Sequence, residues 1–348
     1  MAEKFRIGIT RDLLNEKGEP LAPDIGLSLL DAAPHVEYEF FKEHRNPVTP
    51  DQLRDFDGVM SLAPRYTRES FAGVERLTVI ARFGVGYDNI DLQAATEANV
   101  AVFIVPDGVR RPVAESVLTL MLALSKKLLL KDKLTRTGRW RQHPGHLGTL
   151  LGGRTLGLIG LGNIGSEVVR LVQPFAMRVL AYDPYVSVER AASLDVTLTD
   201  LDTLLRESDF VSVHCPLTPE THHLIGAREF RLMKPTAYFI NTARGAIVDQ
   251  KALTAALQSG QIAGAGIDVF EVEPVPPDEP LLQLENVIVT PHGICWTEEC
   301  LRDNGRLDCL GLLKVARGEV PDHVVNKEVL NQPGFQEKLR RYRADKCV

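Results

Sequence analysis

The sequence predicts an α/β protein of two domains, the larger one built on a doubly wound parallel sheet. Three observations support this fold class. The chain has 348 residues, which corresponds to about two domains at roughly 150 residues each. Short β-branched runs alternate with segments of helical periodicity, as in parallel α/β folds. The runs are apolar along their whole length, which is typical of strands covered on both faces.

The first third of the chain contains five candidate strands separated by helical segments. Helical patterns occupy residues 23–33 and 91–99. Strands that alternate with helices indicate a parallel sheet. The candidate strands are residues 6–10, 36–40, 58–61, 78–81 and 100–105.

A longer series of strands follows, and it defines the larger domain. Apolar residues recur at helical spacing between residues 165 and 177 and predict a helix that packs on the sheet. The strands are expected at residues 155–159, 178–182, 210–213, 237–241, 264–268 and 287–290.

Three long helices complete the prediction. They are expected at residues 112–131, 297–317 and 335–345, with Pro112 in the first turn of the first. We assign residues 104–293 to the doubly wound domain. Residues 1–103 and 294–348 would form the smaller α/β domain.

Composition excludes several classes of protein. The chain has 40 basic and 46 acidic side chains, and this balance disfavours general electrostatic binding to nucleic acid or anionic lipid. No apolar stretch is long enough to span a membrane, and the first ten residues lack the apolar segment of a secretory signal. These features favour a cytoplasmic protein.

The five cysteines indicate thiols in a reducing compartment. Their number is odd and no C-x-x-C motif occurs. The spacing of Cys295, Cys300 and Cys309 matches no common zinc pattern, so no metal site is predicted.

The most informative local motif is a glycine-rich turn between a predicted strand and a helix. Gly160, Gly162 and Gly165 form G-x-G-x-x-G, and Asp183 ends the next strand. An acid roughly 20 residues beyond the first glycine is what binding of a dinucleotide ribose requires. The backbone of such a turn approaches a pyrophosphate at a helix N-terminus. Because Asp183 would repel a 2′-phosphate, the motif favours NAD over NADP.

Polar side chains follow three of the later strands. Arg244, Glu273 and His292 come after the strands at 237–241, 264–268 and 287–290. The carboxyl ends of parallel strands meet at one edge of the sheet, so these groups are expected to converge. Hydride transfer to a 2-keto acid needs a cation for the carboxylate, a proton donor and an acid that orients the donor.

In these motifs the chain resembles the D-isomer-specific 2-hydroxyacid dehydrogenases, which include phosphoglycerate, glycerate and hydroxypyruvate dehydrogenases. The motifs occur in the family's order: GLGNIG, YDP, HCPLTPET, NTARG, DVFEVEP and TPH. The resemblance implies a Rossmann NAD domain, a flavodoxin-like substrate domain and catalysis by Arg244, Glu273 and His292. The motif itself assigns Gly160, Gly162 and Gly165 to the cofactor, and the resemblance adds Asn163, Ile164, Asp183, Thr242, Ala243 and Asp268, which match positions that contact NAD.

The resemblance also implies roles for these groups. His292 would give a proton to the substrate oxygen, with Glu273 hydrogen-bonded to its imidazole, and Arg244 would bind the carboxylate and the carbonyl. His214 is interpreted as structural or cofactor-lining, and His222 and His223 as residues of a solvated turn.

On the substrate side, the loop of Gly84, Val85 and Gly86 resembles the family loop whose amides hold the carboxylate, and Arg65 is a second candidate anion ligand. Trp140 matches a position from which some family members reach into a neighbouring subunit. We expect a homodimer that contacts along the helix predicted at 112–131.

The expected activity is NAD-dependent interconversion of a small 2-hydroxy acid and its 2-keto acid, such as glycerate, phosphoglycerate, glycolate or a sugar-acid derivative. Two alternatives stay open at this point. One is a corepressor-like module that senses NAD without turnover, and the other is a relative that oxidises an unusual hydride donor such as phosphite. Glu273 argues against formate, because the formate branch carries an amide there by resemblance. The Gly293–Cys300 loop departs from the family pattern and leaves the substrate side chain open.

Overall fold

The computed structural model describes residues 4–343, which form two compact units. One unit consists of Met1–Val109 and Trp296–Val348, and the other of Arg110–Cys295. The divisions predicted from the sequence lie after residues 103 and 293. Cys347 and the last two positions of the helix predicted at 335–345 lie outside the described residues.

Helices cover the sheets of both units. Those of α type are α1 (Ser28–Asp31), α2 (Pro50–Leu53), α3 (Leu92–Glu97), α4 (Pro106–Ser125), α5 (Leu128–Arg136), α6 (Asn163–Val172), α7 (Val188–Ala192), α8 (Leu201–Glu207), α9 (Ala227–Leu232), α10 (Gln250–Gln258), α11 (Glu298–Val315) and α12 (Pro333–Arg343). None of the helices within residues 4–343 combines the length and hydropathy that a membrane-spanning segment requires.

The first unit contains a five-stranded parallel sheet. Its order, β2-β1-β3-β4-β5, is that of flavodoxin-like folds, and it confirms the predicted fold of this part of the chain. Hydrophobic clusters cover both faces, one of them reaching α11 and α12. The strands are β1 (Phe5–Ile9), β2 (Val36–Phe40), β3 (Gly58–Ser61), β4 (Val79–Arg82) and β5 (Ala101–Ile104).

The second unit contains a seven-stranded parallel sheet in the order β12-β11-β10-β9-β6-β7-β8. The chain runs outward from β6 to β8 and then returns to place β9 on the other side of β6. This reversal is the Rossmann switch point, where ligands bind at the carboxyl ends of the strands. The strands are β6 (Thr155–Ile159), β7 (Arg178–Tyr182), β8 (Thr197–Leu198), β9 (Phe210–Val213), β10 (Tyr238–Asn241), β11 (Gly264–Ile267) and β12 (Val287–Val289).

All eleven predicted strands are present, whereas the helix predicted at 112–131 is wrong in its bounds. Helix α4 begins at Pro106 and ends at Ser125. Two residues later Lys127 adopts a left-handed conformation (φ 52°), and the separate helix α5 begins at Leu128. Pro112 therefore lies inside α4. Because proline has no N–H, the helical hydrogen bond to the carbonyl of Gly108 is missing. The other hydrogen bonds and contacts of α4 outweigh this loss.

Two other expectations need correction. The helix predicted at 23–33 is reduced to Ser28–Asp31, because Gly26 has φ +80° and packs against the backbone of Arg306 in α11. Strand β8 was not predicted, since two residues carry no periodic signal. The helix predicted between 165 and 177 begins earlier, at Asn163, and gives way at Val172 to a 3₁₀ turn around Pro174.

Candidate functional site

The glycine-rich turn after β6 lies at the switch point, and two of its three glycines leave no room for a side chain. Gly160 has φ +101°, and a Cβ there would lie 2.8 Å from the backbone nitrogen of Cys215, which follows β9. A Cβ on Gly165 would lie 2.5 Å from the carbonyl oxygen of Gly160, so helix α6 can approach the turn closely. Around Gly162, by contrast, no atom lies within 4 Å of a Cβ position.

The open side of this turn presents hydrogen-bond donors. Within the described chain, no acceptor takes a hydrogen bond from the backbone N–H of Gly162, Asn163 or Ile164. These are the first amides of α6, which a helix leaves unsatisfied at its positive end. The turn therefore has the donors and the space that a pyrophosphate needs, and the residues present fit a dinucleotide.

Asp183 holds this turn in place as well as ending β7. Its Oδ2 accepts a hydrogen bond from Leu161 N at 2.8 Å, and its Oδ1 accepts one from Tyr185 N at 2.9 Å. Each carboxylate oxygen keeps a second lone pair for a ribose hydroxyl. The bond to Leu161 is a function of this acid that the sequence analysis missed.

We expect Asp183→Ser to reduce the preference for NADH over NADPH at least tenfold, measured as the ratio of the two kcat/KM values. The substitution removes the charge that repels a 2′-phosphate, and a tenfold change corresponds to about 1.4 kcal/mol. NADH affinity also falls, because Leu161 N loses its acceptor. The control is Asp195→Asn, an exposed acid of the same unit, which should leave the ratio unchanged. An unaltered ratio in Asp183→Ser would mean that another group reads the ribose.

Arg244 is positioned by an asparagine turn at the end of β10. Asn241 is buried, its Oδ1 accepts from Ala243 N at 3.0 Å, and its Nδ2 donates to the Arg244 carbonyl at 2.8 Å. The next residue, Gly245, has no room for a side chain, because a Cβ would overlap the backbone of Phe270. The arginine segment is thus in direct contact with the loop after β11.

That loop carries the acid that meets the catalytic histidine candidate. Glu273 Oε2 lies 2.7 Å from His292 Nδ1, and Glu273 Oε1 accepts from Phe270 N at 2.9 Å. Burial alone would raise the pKa of Glu273, but the bonds from His292 and Phe270 and the charge of Arg244 outweigh it and lower the pKa. An ionised carboxylate can only accept, so the Nδ1 of His292 carries the proton of this bond.

Asp268 organises the loop that bears His292. This buried acid accepts on Oδ1 from Thr290 Oγ1 at 2.6 Å, Gly293 N at 3.0 Å and Ile294 N at 3.2 Å. Its carbonyl also accepts from His292 N at 2.8 Å. His292 itself has φ 52°, an uncommon backbone conformation that these bonds hold. The bracing role of Asp268 was not foreseen, and its contact with cofactor stays a prediction.

Three other histidines in this unit have distinct environments. Burial lowers the pKa of His214, after β9, to about 4, so its ring is neutral. His222 and His223 stack with centroids 4.1 Å apart, and His223 Nε2 lies 2.7 Å from Glu271 Oε1. The structure therefore separates the two acids of the DVFEVEP segment: Glu273 pairs with His292 and Glu271 with His223.

The predicted substrate residues lie in the first unit. Gly84 follows β4 with φ +122°, and its carbonyl accepts from Val105 N at 2.9 Å. The backbone N–H groups of Val85 and Gly86 donate to no acceptor among residues 4–343. Arg65 is exposed, and its backbone N donates to Asn46 Oδ1 at 2.9 Å. These amides have the character of an anion-binding turn.

Comparison with known proteins identifies a family model and close relatives. Residues 118–293 match the model described as D-isomer specific 2-hydroxyacid dehydrogenase, NAD binding domain. The chain is 40% identical over 342 residues to a glyoxylate reductase of Korarchaeum cryptofilum, covering 96% of this chain and 100% of the relative. It is 43% identical to a D-3-phosphoglycerate dehydrogenase of Methanocaldococcus jannaschii, covering 83% of this chain and 54% of the relative.

Solved structures show the same similarity. A D-lactate dehydrogenase from Aquifex aeolicus, complexed with NAD and lactic acid, is 30% identical, and the match has a TM-score of 0.79. It covers 90% of this chain and 96% of that one.

Proposed function

The chain belongs to the D-isomer specific 2-hydroxyacid dehydrogenase family, and we propose that it reduces a small 2-keto acid such as glyoxylate or hydroxypyruvate. As a member it is an NAD-dependent oxidoreductase that acts on CH–OH groups. The observation that carries the proposal is the His292–Glu273 pair, 2.7 Å apart, in which Glu273 belongs to the loop that contacts the Arg244 segment at Gly245. Glyoxylate is favoured because this chain matches the glyoxylate reductase over the whole length of that relative, whereas it matches only 54% of the length of the phosphoglycerate dehydrogenase.

We assign NAD to the second unit, which contains the seven-stranded sheet and was predicted from the sequence as residues 104–293. The amides of Gly162, Asn163 and Ile164 would hold the pyrophosphate, and Asp183 the adenosine ribose. NAD, when bound, supplies or accepts the hydride. The other proposed cofactor contacts are Gly160, Gly165, Thr242, Ala243 and Asp268.

His292 is the proposed acid and base. With Nδ1 bonded to ionised Glu273, its Nε2 is the position that gives a proton to the carbonyl oxygen during reduction and takes it back during oxidation. The carboxylate of Glu273 stabilises the imidazolium that carries this proton. Arg244 would bind the substrate carboxylate and polarise the carbonyl, for which a guanidinium fork is suited.

In this proposal the first unit, predicted from the sequence as residues 1–103 and 294–348, binds substrate. The unpaired amides of Val85 and Gly86, with Gly84, would hold the substrate carboxylate. Arg65 is exposed and follows β3, the strand that pairs with β4 in the sheet. It would hold a second polar or anionic group.

The test is NADH consumption against a panel of 2-keto acids, with NADPH in parallel. We expect turnover of glyoxylate or hydroxypyruvate with NADH. Turnover of only a phosphorylated acid would correct the substrate assignment. Tight NADH binding without turnover of any acid would contradict the enzymatic proposal and favour a sensing module.

We also propose a cytoplasmic homodimer. The segment from α5 to residue 150 exposes more than half of several large apolar side chains, which a second copy would cover. Its exposed residues are Leu128, Leu129, Trp140, Leu147 and Leu150. The cytoplasm is supported by the odd number of cysteines.

We expect Leu128→Asp combined with Leu129→Asp to convert the dimer into a monomer. Light scattering during size-exclusion chromatography measures the mass directly. Val188→Asp, an exposed apolar residue of the same unit, is the control and should stay dimeric. A wild-type protein with the 38.5 kDa mass of one chain would contradict the proposal.

A further inference from the structure

A second histidine–glutamate pair involves the loop that carries Glu273. His223 Nε2 lies 2.7 Å from Oε1 of Glu271, which is two residues before Glu273 in the loop after β11. His223 was predicted in a solvated turn, and the mechanism proposed above gives it no role. The contact joins the segment between β9 and α9 to the loop that presents Glu273 to His292.

Glu271 is held by further hydrogen bonds at the start of α10. Its Oε1 also accepts from the backbone N–H of Gln250 at 3.1 Å, and its own backbone N–H donates to the side-chain Oε1 of Gln250 at 3.1 Å. A carboxylate accepts hydrogen bonds, so the Nε2 of His223 carries the proton of the contact with Glu271. The side chain of Glu271 is therefore fixed from two sides, by His223 and by the first residue of α10.

The backbones of these segments also contact each other. The N–H of His223 donates to the carbonyl of Ala246 at 2.9 Å. Ala246 follows Gly245, which packs without a side chain against the backbone of Phe270 and Glu271. His223 has φ 51°, a conformation that a non-glycine residue keeps where its surroundings determine it. His223 is thus a fixed part of a junction of three loops.

The same loop sets the orientation of Glu273. Its Oε1 accepts from the backbone N–H of Phe270 at 2.9 Å, and its Oε2 lies 2.7 Å from His292 Nδ1. Glu271 is the residue next to Phe270, so a displacement of Glu271 moves the donor that orients the Glu273 carboxylate. Productive alignment of catalytic groups tolerates displacements of only about 0.5 Å. Small changes at Glu271 therefore reach the proposed proton-transfer pair.

We propose that His223 is a positioning residue, which through Glu271 holds residues 270–273 so that Glu273 meets His292. This inference rests on the proposed function, because it takes His292 and Glu273 as the proton-transfer pair. Loss of the His223 side chain reduces the fraction of molecules in which Glu273 is aligned, and this lowers kcat. The glycine-rich turn and Asp183 take no part in this link, so binding of NADH is unchanged.

The experiment compares His223→Ala and His223→Gln in the full enzyme. The side chains of His223 and Glu271 are 42% and 28% exposed, and such pairs contribute little to global stability, so the Tm should hardly change. We expect His223→Ala to lower kcat for the 2-keto acid about fivefold, with KM and the Kd for NADH within about twofold of the wild type. A glutamine also carries an N–H donor at the end of its side chain and should recover most of kcat.

His222→Ala is the matched control for this comparison. It removes the ring that stacks on His223 with centroids 4.1 Å apart, and it should retain wild-type kcat. Wild-type kcat in His223→Ala would overturn the inference and leave the proposed function standing.

A double-mutant cycle tests the route through Glu271. Glu271→Ala removes the acceptor of both His223 and the Gln250 N–H, so it should lower kcat at least as much as His223→Ala. The double variant should be no slower than Glu271→Ala alone, because His223 and Glu271 act through one contact. Losses that multiply would show that the two residues act independently and would overturn the inference.

The position of the proton on the His292 ring provides a readout that needs no turnover. Nitrogen-15 chemical shifts of the neutral ring show which nitrogen carries the proton, and the resonances are identified by their absence from His292→Ala. We expect the proton on Nδ1 in the wild type and in His223→Gln, and a larger share on Nε2 in His223→Ala.

This readout separates the inference from the proposed function. If the wild type reduces no 2-keto acid and the share on Nε2 still rises in His223→Ala, the proposed function fails and the positioning role holds. If the share is the same in all three proteins, His223 does not position Glu273 and the inference is overturned.

Discussion

We expect His292→Ala to lower kcat for reduction of the 2-keto acid by roughly 10²–10⁴-fold, the usual contribution of a general acid. The substitution removes the Nε2 that donates the proton, while Glu273 keeps its bond from Phe270 N and the glycine-rich turn is untouched. The Kd for NADH, measured by fluorescence titration, stays within about twofold of the wild type.

A neighbouring histidine tests the specificity of this loss. His222→Ala removes an exposed ring that stacks on His223, and it should retain wild-type kcat. A His292→Ala variant with near wild-type rate would remove this residue from the mechanism.

The partner of His292 provides a pH-dependent test of the same pair. Glu273→Gln replaces an ionised carboxylate, whose lowered pKa keeps it charged at neutral pH, with a neutral amide. An uncharged partner stabilises a positively charged imidazolium less than a carboxylate does. Reduction needs the protonated ring, and the alkaline fall in kcat/KM should therefore move to lower pH. An unmoved profile would show that Glu273 does not act on the proton of His292.

Arg244→Ala is expected to lower kcat/KM for the keto acid by at least about 10²–10³-fold, the loss seen when one preorganised donor to a developing oxyanion is removed. The guanidinium donates from Nη1 to the carbonyl of Ala243 at 2.7 Å, and the next residue, Gly245, packs without a side chain against the backbone of residues 270–271. Arg244→Lys keeps the charge but not the fork and should recover only part of the rate.

Steady-state kinetics with a fixed saturating NADH concentration measures this effect. Arg231→Lys, an exposed arginine on α9, is the matched control and should behave as wild type. Millimolar guanidinium should partly restore Arg244→Ala and leave the wild type unaffected. Wild-type kcat/KM in Arg244→Ala would place the substrate carboxylate elsewhere.

The sequence could predict both sheets because strands covered on both faces carry a local signal. Each run of β-branched and apolar residues is complete within four or five positions, so β6 and β9 are visible without knowledge of their neighbours. The glycines are similarly local, since a φ of +101° at Gly160 restricts the residue type at that position. The order of motifs along the chain was then sufficient for the family resemblance.

Helix boundaries were less predictable because they depend on contacts with distant residues. Gly26 interrupts a helical pattern where it packs on Arg306, which is 280 residues away in the chain. Pro112 is typical of the first turn of a helix, yet α4 begins six residues earlier and continues past this proline.

Within the candidate site, the sequence by itself determined which residue types follow the strands, and the tertiary structure decided which side chains meet. Glu271 and Glu273 occupy one short segment, and only the fold shows that Glu273 reaches His292 while Glu271 reaches His223. The bracing of the His292 loop by Asp268 could likewise not be predicted from the sequence. The physical reason is the distance along the chain over which each property is decided. Backbone conformation depends mainly on neighbouring residues, whereas hydrogen-bond partners and desolvation depend on distant residues that folding brings together.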